Sequence, residues 1–259
     1  MKRPLSTFRP RGLRKRARVF ILLALFFSGW AQMAGSGEAF PDDYQAKIEK
    51  YQKAIRENPN DAEAQFDLGI IYGDLGRWLD VVSEFEGVLR IKPEHASAHY
   101  NLGLAHGNLG RHLEAISEYK EAIRLNPEYA EAHFGLGFAH RQLGRWEDAM
   151  VEYQETARIN PEYFPAFINL GVAYEQLDRW QDAIDEYKKA LDIDPECAEA
   201  HFNLGGAYDA VKDGSNAIAH MLKAEKIFEK KKDVQLLVLS RKNLQEFYRK
   251  YNLEPENFE

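Results

Sequence analysis

The sequence predicts an all-α solenoid of antiparallel helix pairs, and three observations predict it. Pro59, Pro93, Pro127, Pro161 and Pro195 stand 34 residues apart. Leu68-Gly69, Leu102-Gly103, Leu136-Gly137, Leu170-Gly171 and Leu204-Gly205 fall in the same register. Within each period the apolar residues recur at helical spacing in two runs divided by a stop. A fixed period of this size marks a stacked repeat array. Five units result: 62–95, 96–129, 130–163, 164–197 and 198–231.

The second unit, Ala96 to Tyr129, explains the pattern. With Ala96 as position 1, apolar or small residues at positions 3, 7, 8, 10 and 14 place helix A from roughly Glu94 to Leu109. Gly110 stops it, and His112 to Leu125 forms a second amphipathic helix, B. Asn126-Pro127 ends helix B, because proline disfavours helical geometry in the residue before it. Two such helices cannot bury their apolar faces alone, so stability must come largely from stacking on neighbours. The glycine at position 8 has no Cβ and lets another helix approach closely. Ala115, Ala149, Ala183 and Ala217 at position 20 are similarly small, and Tyr119, Tyr153 and Tyr187 fill the space four residues on. Trp78, Trp146 and Trp180 recur at position 17, where each starts a helix B and is expected to pack between units.

Leu170, Gly171, Tyr174, Ala183, Tyr187, Ala190 and Pro195 carry this pattern most fully, and it resembles the tetratricopeptide repeat family. There are departures. Position 4, often tryptophan in that family, is Gln65, His99, His133, Phe167 and His201. Position 11 is His106 and His140 in units two and three, and unit one has Val81 and Val88 at small-residue positions. The resemblance implies a right-handed superhelix whose A helices line a concave surface through positions 2, 5, 6, 9, 12 and 13. Position 5 is Phe66, Tyr100, Phe134, Ile168 and Phe202, and position 9 is Ile70, Leu104, Phe138, Val172 and Gly206. Position 6 is Asp67, Asn101, Gly135, Asn169 and Asn203. This broken row of asparagines resembles the ladder in the repeats of O-linked N-acetylglucosamine transferase, where amides hold a peptide backbone. The implied peptide site is Asn101, Asn169 and Asn203, with Phe66, Tyr100, Phe134, Phe138, Phe202 and Arg141 beside them. The alternative is that the asparagines bond within the array and the aromatics pack between A helices. Binders of acidic chain ends in this family use lysine and arginine in the groove; position 5 has no lysine and Arg141 is the one cation on the lining positions.

The 259 residues are 45% hydrophobic, and a single cysteine, Cys197, rules out an intramolecular disulfide framework. Net charge is −7, but residues 1–18 hold eight Lys/Arg and no acid, leaving 26 cations against 41 acids, or −15, on the rest. Such an acidic body repels phosphate backbones, which argues against nucleic acid as a partner. The basic leader runs into the uncharged stretch 19–37, with the apolar heart VFILLALFF, so that residues 1–37 read as a secretory signal. Cleavage points follow Ala31, Ser36 or Ala39; an uncleaved membrane anchor is the competing reading, since 19 uncharged residues can span a bilayer. In both cases the cations hold the N-terminus in the cytoplasm, so the repeats are expected in the periplasm or on the outer side of the membrane, with membrane contact only through 19–37.

Within 38–61, Asp42 to Glu57 is expected to be an N-terminal capping helix, with Ile48, Tyr51, Ala54 and Ile55 on its apolar face. The fifth unit has Glu229 where the repeat proline would stand, so its helix B can run on into Lys230-Lys231-Lys232. Asp233 can then cap a last helix within 232–251 that covers the end of the array with Leu237, Leu244, Phe247 and Tyr251, leaving 252–259 as a tail. Repeat and caps account for almost all of 42–251. No phosphate-binding glycine loop, zinc-hydrolase helix or nucleophile elbow occurs, and no catalytic residue, cofactor or metal site is expected. The expected function is a non-catalytic scaffold that binds an extended peptide of a partner protein in its groove. The alternative is a self-associating structural subunit of a cell-envelope assembly that uses its convex face or its ends.

Overall fold

The computed structural model describes residues 42–258; the leader and its predicted export signal lie outside them. Among the described residues, twelve α-helices follow one another with no strand. α1 (Asp42–Glu57) precedes five A–B pairs. These are α2 (Ala62–Asp74) with α3 (Trp78–Ile91), α4 (Ala96–Asn108) with α5 (His112–Leu125), and α6 (Ala130–Gln142) with α7 (Trp146–Ile159). α8 (Phe164–Gln176) pairs with α9 (Trp180–Ile193), and α10 (Ala198–Ala210) with α11 (Gly214–Lys231). α12 (Val234–Tyr251) closes the chain, followed by a single 3-10 turn, Pro255–Phe258. Each helix packs on the next in sequence, and α4 also meets α6, as α8 meets α10, so A helices touch across units. The architecture is the solenoid that the periodicity predicts.

The core repeats with the sequence. Leu68, Leu102, Leu136, Leu170 and Leu204 at position 7 are buried, as are the alanines at positions 3 and 20. The position 8 glycines lie against the side chain at position 24. A Cβ on Gly137 would come within 2.8 Å of the Tyr153 ring, and one on Gly171 within 2.5 Å of Tyr187. Gly103 faces Tyr119, and Gly69 faces Phe85, in the same way at 2.9 Å. Thus the glycine is a seat for a ring, which is fully buried at Tyr153 and Tyr187. The A–B turn needs a left-handed residue. Gly76, Gly110 and Gly144 supply it in the first three units (φ 66 to 74), while Asp178 and Lys212 adopt it in the last two (φ 57 and 66).

Position 4 is a polar tie. His99 Nε2 donates to the Pro93 carbonyl at 3.0 Å while its Nδ1 meets Glu118 at 2.7 Å. His133 repeats this with Pro127 (3.1 Å) and Glu152 (2.7 Å). Gln65 reaches the Pro59 carbonyl at 3.2 Å. His201 takes the Pro195 carbonyl at 3.0 Å, but its other nitrogen meets His220 Nδ1 at 3.0 Å. The three histidine ties hold the loop before helix A to the following helix B, whereas Gln65 reaches the loop alone and its Oε1 is buried without a hydrogen-bond partner. Phe167 cannot make such a tie, and there Glu186 stays buried with one oxygen unpartnered, the other accepting from Lys189 at 2.8 Å. Lys189 therefore pairs three residues back, with Glu186.

The ends are covered by different chemistry. Asp233 accepts from the Leu236 backbone N–H at 3.0 Å and starts α12. Leu236, Leu244 and Phe247 are its buried apolar side chains, while Leu237 and Tyr251 are partly buried against the same cluster. Arg241 and Lys250 are exposed but paired: Arg241 with Glu225 (2.7 Å) and Glu229 (2.9 Å), and Lys250 with Asp209 (2.6 Å).

Two measurable consequences follow. Gly137→Ala should lower stability by about 1–3 kcal/mol, read as a fall in the urea midpoint, because its methyl must displace the Tyr153 ring. An unchanged midpoint would mean that the ring is not seated on the glycine. The histidine ties respond oppositely to acid. The Glu152 hydrogen bond holds His133 above its ordinary 6.5, with burial opposing, so the stability of that tie is complete below 6.5 and fades as pH rises through the folded value. Burial lowers both His201 and His220, the latter to about 4, so their neutral pair contributes above 6.5 and is lost as pH falls towards 4. Between about pH 7 and about pH 5, hydrogen exchange corrected for intrinsic rate should rise most in α10 and α11, whereas in α6 and α7 the gain at His133 offsets the loss at His140, whose proton affinity burial also lowers. Uniform loosening along the array would contradict this.

Candidate partner-binding groove

Helical geometry separates two faces of every A helix. Positions 3, 7 and 10 go into the core, which leaves 9 and 13 turned away from it, while 12, one turn after the position 8 glycine, borders helix B, as Gly73 does Val81. Position 9 accordingly forms a row of partly exposed apolar side chains: Ile70 (38% exposed), then Leu104, Phe138 and Val172.

Position 5 divides between groove and core. Tyr100 lies between Tyr119 and Tyr129, with centroids 6.0 and 5.1 Å away. Phe134 sits between Tyr153 (5.5 Å) and Tyr163 (5.2 Å), and Phe66 between Phe85 and His95, both at 5.2 Å. These rings are half-buried. Ile168 and Phe202 are buried, Phe202 against Phe228.

The asparagines are tied back to their own helices. Asn101 donates to the Ser97 carbonyl at 2.7 Å, and Asn169 to that of Pro165 at 2.9 Å. Asn169 is buried with its amide oxygen unpartnered, as is the Tyr153 hydroxyl; Asn203 is buried as well. The break in the row at Gly135 has a steric cause, since a Cβ there would stand 2.6 Å from the Tyr119 ring.

Position 12 changes most along the array, from Gly73 and Gly107 to Arg141, Glu175 and Asp209. The Arg141 guanidinium lies 4.7 Å over the Phe138 ring, and burial lowers its proton affinity. Burial raises the Glu175 carboxyl to about 7, with the Tyr187 hydroxyl acting the other way. Glu175 was not singled out from the sequence; the signal available was a carboxylate at a position where two earlier units have glycine. Asp209 is taken by Lys250 and by the Tyr251 hydroxyl (2.9 Å), so the C-terminal helix closes this end of the groove.

Where position 12 is Gly73, the groove opens into a cleft of about 290 Å³ between α2, α3 and α4. Gly69, Ile70, Val81, Phe85 and Leu104 make its apolar walls, with Trp78, Asp74, Asn101 and Asn108 completing the lining. Among the described residues no group of three or more His, Cys, Asp or Glu side chains is arranged to hold a metal ion. No helix there is long and apolar enough to cross a membrane.

Comparison with known proteins agrees with this geometry. Family profiles described as tetratricopeptide repeat match residues 71–123, 100–164 and 50–80, and one described as TPR repeat matches 176–210. A comparison with curated protein sequences returns no significant match. Among solved structures, a crystal structure of MamA is similar at 30% identity and TM-score 0.58, covering 61% of this chain and 92% of that one. A structure of YrrB, titled a TPR protein with an unusual peptide-binding site, aligns at 21% identity and TM-score 0.63, covering 75% and 99%. MamA 41-end from Desulfovibrio magneticus RS-1 aligns at 20% and TM-score 0.56, covering 74% and 98%. The last two speak for the fold alone. The architecture is that of a protein–protein interaction scaffold, and the chain belongs to the tetratricopeptide repeat family.

Proposed function

We propose that this chain is a non-catalytic adaptor that holds an extended segment of a partner protein in its concave groove. The observation that carries this is the row Ile70, Leu104, Phe138 and Val172, apolar side chains kept partly exposed beside a filled core. A folded chain gains by burying such a row, and a bound segment would bury it. The acidic lining, with Asp67, Asp74 and Glu131 against the single cation Arg141, favours a basic segment. The intrahelical bonds of Asn101 and Asn169 assign most of the affinity to side-chain contacts rather than to an amide ladder.

The basic, then uncharged, run of residues 1–37 supports delivery of the array across a membrane, to the periplasm or the outer side of the cytoplasmic membrane. N-terminal sequencing of the protein from the exported fraction should begin after Ala31, Ser36 or Ala39. Recovery of the chain only from the cytosol would remove export from the proposal. A second reading rests on Leu79 and Leu113, 64% and 59% exposed at the same place on successive B helices, which suits self-assembly through the outer face.

One pair of substitutions separates the readings. Phe138→Glu should weaken capture of the native partner on the purified full chain by about tenfold or more and leave any self-assembly intact. Leu113→Glu should leave capture unchanged. The reverse outcome in pull-down and sedimentation experiments would make the outer face the functional surface.

A further inference from the structure

We propose that the cleft between the first two repeats is the specificity pocket of the groove, and that it receives a long cationic side chain, arginine before lysine, from a basic segment of a partner protein. This rests on the groove reading above and adds the chemistry of its anchor residue. The first observation is shape. About 290 Å³ stands open beside Gly73, where Arg141, Glu175 and Asp209 hold the equivalent position in the last three units and Gly107 in the second. The walls are apolar and suit a methylene stem, and the Trp78 ring completes them.

The second observation is charge. The lining holds one carboxylate, Asp74, and no cation. Arg77, nearest in sequence, is engaged elsewhere, on Asp80 at 2.7 Å and over the Tyr72 ring at 4.3 Å. Asp74 receives one long hydrogen bond, from Tyr44 at 3.5 Å.

The third observation is the orientation of the amides. Asn101 and Asn108 each commit an N–H to a carbonyl one turn back, at Ser97 and Leu104, which fixes which side-chain atom is nitrogen and leaves both oxygens with free lone pairs. The balance at the rim is towards acceptors and net negative. A purely apolar anchor would strip water from Asp74 without replacing it, whereas a guanidinium brings donors, charge and a flat face for the indole.

The test uses the full chain and a displayed library of random dodecapeptides. Selected peptides should share an arginine or lysine at one register position. In fluorescence anisotropy, arginine→citrulline in such a peptide should weaken binding by about tenfold or more to the native chain and by less than about threefold to Asp74→Asn. Gly73→Leu should abolish binding at unchanged melting temperature, since the nearest atom to a Cβ there is Val81 Cγ2 at 4.0 Å. Equal binding of arginine and citrulline peptides would overturn the proposal. If binding survives Gly73→Leu but not Phe138→Glu, the pocket assignment fails and the groove stands. If it survives both, the groove reading fails with it. A selection that returns no peptide, with photo-cross-links from Ile70 into residues 2–18 of the same chain, would give the cleft to the chain's own leader and overturn the partner.

Discussion

The contact on which the array depends is a ring seated on a glycine. In the second, third and fourth units the position 24 tyrosine lies where a Cβ on the position 8 glycine would be, at 2.9, 2.8 and 2.5 Å. This sets how closely helix B approaches helix A, and with it the offset from each unit to the next. The fifth unit departs from it: Met221 replaces the ring, and a Cβ on Gly205 would stand 3.1 Å from the Ala217 carbonyl oxygen and 3.2 Å from the methionine methyl. That unit is also the one whose face is covered by α12. Once positions 3, 7 and 10 are committed to the core and 8 to the ring, the steps of the helix turn 9 and 13 away from the core and leave 12 at the border with helix B. The groove is therefore a consequence of the core.

With the scaffold repeated, differences between units become the source of specificity. Position 4 shows this for stability: the loop-to-helix tie is made by two histidine–glutamate pairs and a histidine–histidine pair, Gln65 makes only its loop half, and the tie is missing at Phe167. Position 12 shows it for recognition. Glycine opens a cleft at one end, Arg141 and Glu175 fill the middle, and Asp209 is claimed by the C-terminal helix at the other. The groove thus has a direction: open and acidic near α1, closed near α12.

Most of the fold was legible because it rests on features a single chain displays openly. The proline spacing, the Leu-Gly register and Asp233 correspond to helix ends and caps that the structure shows within a residue or two, as for α4 at Ala96–Asn108 against an expected Glu94 to Leu109. The deeper cap residue was less legible, since Leu236 rather than Leu237 is the buried one, a one-residue rotation that periodicity alone does not resolve. The site was legible only as a set of positions. Whether a side chain at position 5 or 6 faces the groove or the core depends on the neighbouring unit, so Phe202 and Asn203 are buried while Tyr100 and Phe134 are half-buried. Gly135 seemed a gap in a ladder until Tyr119 stood against it. The histidine ties were hidden because their partners lie 19 residues away and their spacing resembles ordinary packing.

The central claim is that partners meet this chain in its groove. Site-specific photo-cross-linking in the native cell tests it most directly, with the probe at Leu104 on the groove row and a control at Ser117 on the exposed side of α5. The account predicts one discrete adduct with a second protein from Leu104 and none from Ser117. Adducts from Ser117 alone, or from Leu104 only to another copy of this chain, would contradict it.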